Sequence, residues 1–168
     1  KDENGSIRNF VSVLKDVTDL RKRQEQEFQL RIAREVQQLL YKSQIDVPGY
    51  DIAGATFSAA ETNGDYFDFI ELADGSIGLV IGDVSGHDIG PAMVMTQTRA
   101  YLRAFAKTES EPGLLLTKLN NELTADLSYD RYVTLIFIKL NPRLQTVEYV
   151  NAGHVSALIF HTTGELSH

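Results

Sequence analysis

The sequence predicts an α+β fold: a layered sandwich of antiparallel sheets flanked by helices, led by an N-terminal connector helix. Two observations predict it. The strand-like stretches come in runs, three before a pair of helices and three after it, which is not the strict alternation of a doubly wound fold. Asp74-Gly75 is also a good hairpin turn between two of those stretches, so they pair antiparallel. A chain of 168 residues that is 43% hydrophobic can bury a real core, as one domain or one domain plus a linker.

The elements follow in order. "NFVSVL", residues 9–14, is β-prone and follows a turn signal at Asn4-Gly5. Asp16, Thr18 and Asp19 then offer helix N-caps. From Leu20 to Tyr41 the pattern is helical, with Phe28, Ile32, Val36, Leu39 and Leu40 as an apolar stripe on a charged, Gln-rich background. Gln24 interrupts the stripe between Leu20 and Phe28. The stripe suits either packing on the helix's own domain or a short dimerising coiled coil. Pro48-Gly49 ends this region, and strands are expected over 50–60, 66–73 and 76–84. A helix opens at Pro91 and runs to about Ala106, and another runs from Pro112 to Leu127 with Leu115, Leu116, Leu119 and Leu123 at helical spacing. Strands over 132–140, 146–152 and 156–162 complete the pattern, the first two joined by the turn "NPRLQ".

Composition removes several function classes. The chain is acidic, with net charge -7 and a pI of about 5.0, and its basic cluster is confined to Arg21–Arg23, a poor footing for nucleic acid. With no cysteine, a disulfide framework and a thiolate zinc site are both excluded, and the absence fits a cytoplasmic protein. No apolar run approaches the roughly 20 residues a membrane span requires. "KDENGS" has no secretory-signal character, and no initiator Met is present. A piece of a longer protein is therefore expected.

Two acidic turns are the candidates for chemistry. "TNGDYFDF" holds Asp65 and Asp68 at the opening of one strand, and "GDVSGHD" holds Asp83 at the end of the next. If those strands form a hairpin, Asp65 and Asp83 lie at the same end of it. Two carboxylates so placed, among glycines that admit close backbone approach, can share a hard cation, which would offset their mutual repulsion. Capping of the turns by the same aspartates is the simpler reading, and spacing alone does not separate the two.

Three motifs, "NGDYFDF", "LVIGDVSGHDIGPAMVM" and "YVTLIFIKLNPRLQTVEYVNAGH", resemble in order and spacing the SpoIIE/RsbU branch of the metal-dependent protein phosphatase (PPM) family, over residues 31–168. The resemblance implies a two-sheet sandwich that uses two Mn²⁺ or Mg²⁺ ions to hydrolyse phosphoserine or phosphothreonine. It implies phosphoprotein substrates of the anti-sigma-factor-antagonist type. Asp83 matches the aspartate that bridges the metals, Val84 a ligand through its carbonyl, and Asp65 the acidic ligand of the earlier turn. Asp68, Gly86, His87, Asp88, Asn151 and His154 are candidates for lining the cleft or supporting a ligand from behind, Asp68 by such support or by strand capping, and His87, where the family varies, by lining the cleft without binding metal. Gly153 belongs to the "NAGH" turn, whose role as a tight connection is at least as good a reading as direct catalysis.

Thr62-Asn63 stands where the family usually has Val-Gly, and Asp88 where glycine is common. No "TDG"-type loop occurs before His168, so the metal cluster is expected to be incomplete in these residues. Residues 1–18 look like the last strand of a PAS-like sensor domain, 19–45 like a signalling connector that forms a homodimer, and 46–168 like the N-terminal two-thirds of a phosphatase domain. The competing expectations are a catalytically inactive phosphatase fold used for binding, and a signalling coiled coil with the rest as passenger.

Overall fold

Four strands make one antiparallel sheet in sequence order: β1 (Tyr66–Glu71), β2 (Ile77–Val84), β3 (Val133–Asn141) and β4 (Thr146–Ala152). The computed structural model describes residues 12–42, 44–56, 64–86, 89–127 and 130–167. Helices α2 (Ile89–Phe105) and α3 (Pro112–Asp126) lie between β2 and β3 in the chain, and α1 (Thr18–Gln38) precedes the sheet. A two-stranded ribbon pairs β5 (Ile159–Phe160) with β6 (Leu166–Ser167). Antiparallel strands with segregated helices match the α+β class read from the sequence.

Alternation along the strands sorts the side chains onto two faces. Tyr66, Ile70, Val80, Val84, Leu135 and Phe137 face the helices and join Met95, Leu102, Leu115 and Leu119 in the core. Each such burial contributes roughly 1.5–3 kcal/mol of transfer free energy. A Cβ at Gly78 would stand 2.6 Å from Phe137 Cζ, so the missing side chain is what lets that ring lie across β2. α3 starts where its sequence says it should: Pro112 opens it, and the Glu111 carboxylate accepts from the Gly113 and Leu114 amides. The opposite face of the sheet carries Phe67, Phe69, Leu79, Ile81, Ile136 and Ile138. With residues 52–56 these line a cavity of about 590 Å³ whose rim reaches Asp65 and His154.

Several expected elements are shorter or absent. Of the strand expected over 50–60, residues 57–60 lie outside the described residues, and 50–56 make only single bridges, Val47 to Tyr50 and Gln44 to Ala53. That segment instead lies over the sheet face, with Gly54 flat against the Phe67 ring, where any Cβ would clash at 2.5 Å. Of residues 9–14, the first three lie outside the described residues, while Val13 and Leu14 are exposed and outside any strand. The strand expected over 156–162 shrinks to the two residues of β5. No side chain of Val17, the N-cap of α1, caps that helix, but the Asp16 carboxylate accepts from the Thr18 amide at 2.9 Å. Phe28, Ile32 and Val36 on α1, and Leu39 at its C-cap, remain about half exposed or more. No helix among the described residues is long and apolar enough to cross a membrane.

Candidate functional site

The site is set by the register of one hairpin. The Leu72 amide donates to the Ser76 carbonyl and the Gly75 amide to the Leu72 carbonyl, leaving three residues in the loop with Gly75 at φ +78°. This closure pairs Tyr66 with Gly82 at the far end, so Asp65 and Asp83 are the next residues out on their two strands. The Val84 amide then donates to the Gly64 carbonyl at 3.3 Å. A Cβ on Gly64 would stand 2.7 Å from the Val84 carbonyl oxygen and 3.2 Å from Asp83 Oδ1. Only a glycine lets the chain entering Asp65 run this close to Asp83 and Val84. Gly64→Ala is therefore expected to push the two turns apart and, for the hydrolytic activity that the family resemblance implies, to cut turnover of the full-length protein by about a hundredfold, the scale of an ångström-sized misplacement. Steady-state kinetics checks it, and activity within about twofold of wild type would contradict the close packing.

Thr134 pairs with Asp83 across β2 and β3, and its Oγ1 lies 3.0 Å from His154 Nδ1. Asn151 closes the turn that carries this histidine: its Oδ1 accepts from the His154 amide at 2.8 Å and its Nδ2 donates to the His154 carbonyl at 3.0 Å. Gly153 sits inside the turn at φ +76° and bridges to Leu135. The "NAGH" segment is thus a closed strand-end turn that also delivers an imidazole to the Asp83 end of the sheet.

Asp68 goes elsewhere. It is buried and shares a face with Tyr66 and Val80, opposite the face of Asp83, so it does not line the cleft. Arg103 grips it with two bonds, Nε to Oδ2 at 2.7 Å and Nη2 to Oδ1 at 2.6 Å, and Arg99 Nε stands 3.5 Å from Oδ2. The Tyr66 hydroxyl donates to Asp68 as well, at 3.0 Å. The carboxylate raises the Arg103 pKa, and burial followed by the Asp68 charge raises that of Tyr66. Asp68 fastens β1 to α2. Arginines 99 and 103, four apart on the sheet side of α2, are the sequence signal that an acid lies beneath them. Gly86 is exposed at φ +99°, in the turn after Asp83. His87, Asp88 and the Thr62-Asn63 departure lie outside the described residues.

One neighbour of the site has no signature in the sequence. The Tyr41 hydroxyl donates to the Asp65 carbonyl at 2.7 Å, across 24 positions of chain. Burial, then the charge of Asp65, pushes its pKa up to about 12, so the phenol keeps its proton at neutral pH.

Among the described residues no three His, Asp or Glu side chains form a metal-binding group. What the hairpin assembles is two carboxylates and a main-chain carbonyl, all hard oxygen donors of the kind that suit Mg²⁺ or Mn²⁺. The same end of the sheet is spanned by a known sequence family: residues 73–167 match the model for Stage II sporulation protein E (SpoIIE). The chain belongs to the SpoIIE family. The SpoIIE match takes in Asp83, Val84 and the Asn151–His154 turn, and begins after Asp65. The chain is 26% identical over 132 residues to phosphoserine phosphatase RsbU of Bacillus subtilis (strain 168), covering 78% of this chain and 39% of that protein. It is 24% identical over 139 residues to phosphoserine phosphatase RsbP of the same organism, covering 77% and 33%. Among solved structures, that of the RsbU and RsbW domains of Rv1364c from Mycobacterium tuberculosis superposes with a TM-score of 0.50 at 30% identity, covering 60% of this chain and 28% of that one. The chain spans 39% or less of the length of these relatives.

Proposed function

We propose that this chain supplies Asp65, Asp83 and the Val84 carbonyl to the metal site of a protein phosphatase that acts on phosphoserine or phosphothreonine. The observation that carries the reading is the packing of Gly64 against Val84 and Asp83, which brings both acidic turns to one strand end. Two Mn²⁺ or Mg²⁺ ions are the expected complement, and when bound they supply an acidified water as nucleophile. Asp83 and Asp65 orient and charge-balance that site, the Gly64 peptide closes it, and Thr134 holds the His154 ring at its edge. The RsbU and RsbP relatives, both named phosphoserine phosphatases, support phosphoserine as the group hydrolysed; a bacterial signalling phosphoprotein of the anti-sigma-factor-antagonist type is the substrate we propose. The test is phosphate release from a phosphoserine protein by the full-length enzyme in Mn²⁺, with loss on chelation and recovery on adding the metal back.

The alternative reading is a catalytically inactive phosphatase fold used for binding. Stable binding of the phosphoprotein with no phosphate release in either metal would establish it.

Residues 1–18 we assign to the end of a PAS-like sensor domain and 19–45 to a connector that pairs with a second copy, the whole working in the cytoplasm. The exposed stripe of Phe28, Ile32 and Val36 on α1, continued by Leu39 at its C-cap, supports the pairing, since helix pairs bury stripes of this kind. Sedimentation of the full-length protein is expected to show a dimer that Ile32→Glu shifts toward monomer. A monomer at micromolar concentration for wild type would remove the connector from the dimer assignment.

A further inference from the structure

Tyr41 holds the start of β1 through two separate contacts. Its hydroxyl donates to the Asp65 carbonyl at 2.7 Å, and its ring stacks on Phe67, with centroids 5.1 Å apart and planes 19° from parallel. Phe67 is two residues further along β1, so the same side chain grips the strand on both sides of Tyr66. On the other flank, the Gly64 carbonyl is held by the Val84 amide. The peptide that carries the Asp65 carboxylate is therefore pinned before, at and after that residue, and the middle pin comes from the segment just beyond α1. Among the described residues the ring does the packing, and the hydroxyl makes one hydrogen bond, to the carbonyl of the acid itself.

We infer that Tyr41 is a positioning residue for Asp65, setting the main-chain geometry from which the carboxylate reaches a divalent cation. This rests on the reading of Asp65 as a metal ligand given above. Its consequence is that the seating of the chain at the exit of α1 enters the affinity for metal, through one hydrogen bond.

The test is a calorimetric titration of Mn²⁺ into the full-length protein, in wild type and in Tyr41→Phe, Asp65→Asn and Ser110→Ala. Tyr41→Phe keeps the ring stack and removes only the hydroxyl. It is expected to weaken Mn²⁺ binding about two- to tenfold, the worth of one hydrogen bond, with the number of ions bound unchanged. Ser110→Ala removes the hydrogen bond from the Asp74 amide at the opposite end of the hairpin, and is expected to leave the affinity as it was. A merely structural role for Tyr41 would lower the melting temperature of the metal-free protein and leave the affinity alone. Unchanged affinity in Tyr41→Phe, together with loss of binding in Asp65→Asn, would overturn the positioning role and leave the metal reading standing. Unchanged binding in Asp65→Asn would overturn the metal reading itself, and the positioning role with it.

Discussion

On the proposed function, Asp83→Asn is expected to lower turnover of the full-length protein by about a thousandfold or more while leaving the fold intact. The size follows from the several kcal/mol of charge stabilisation that a metal centre supplies, at 1.36 kcal/mol per factor of ten. The intact fold follows from position. Asp83 is exposed at the end of β2, so an isosteric amide leaves the helix-facing core and the sheet pairing as they are. Without metal the variant should be as stable as wild type or slightly more so, because one of two like charges at that strand end is gone. Phosphate release and a thermal melt on the same preparation check both halves. Turnover within tenfold of wild type would remove Asp83 from the metal site.

Asp68→Ala is expected to do the reverse: to destabilise strongly without touching the chemistry directly. Removing one partner of a buried ion pair costs about 3–5 kcal/mol; because the Arg103 left behind is about a third exposed and regains some water, the cost here is expected at the low end, about 3 kcal/mol. Here the carboxylate removed is almost wholly buried, and it strands the Arg103 and Arg99 guanidiniums against β1. At about 2–4 °C per kcal/mol for a domain of this size, the melting temperature should fall by about 6 °C or more. Below that temperature, Mn²⁺ affinity should stay near the wild-type value, since Asp68 faces the helices and Asp83 the other side of the sheet. A small change in melting temperature with lost metal binding would move Asp68 into the site.

These two aspartates also show how far the sequence could be read. Asp74-Gly75 marks the hairpin, and the strand lengths on either side bring Asp65 and Asp83 to one end of it. Which face each acid takes depends on a single residue of loop length. The observed loop has three residues, closed by Leu72 and Ser76, and one residue fewer would shift the register and turn every side chain of one strand against its partners. Turn residues alone do not settle that count, which is why Asp68 was open to a cleft role. Its true partners lay in the sequence as a clue: Arg99 and Arg103 sit on a helix face otherwise lined by Met95, Leu102 and Thr98, all buried. The α3 leucines and the Glu111-Pro112 start were legible because helix period and capping are local. Tyr41 was not legible, since a hydroxyl bonded to a carbonyl 24 residues on leaves no pattern in the chain. The strand expected over 50–60 fails for a related reason. Its composition is β-prone, but among the described residues its partner is the face of a sheet and not the edge of one.

The measurement that bears most directly on the metal site is a paramagnetic resonance titration of Mn²⁺ with the full-length protein, wild type beside Asp83→Asn. Bound Mn²⁺ loses the sharp aqueous signal, so the free ion is counted without reference to any substrate. The two acidic turns predict that wild type depletes the free signal at concentrations where Asp83→Asn leaves it intact. Equal depletion by both proteins would contradict a site built on Asp83.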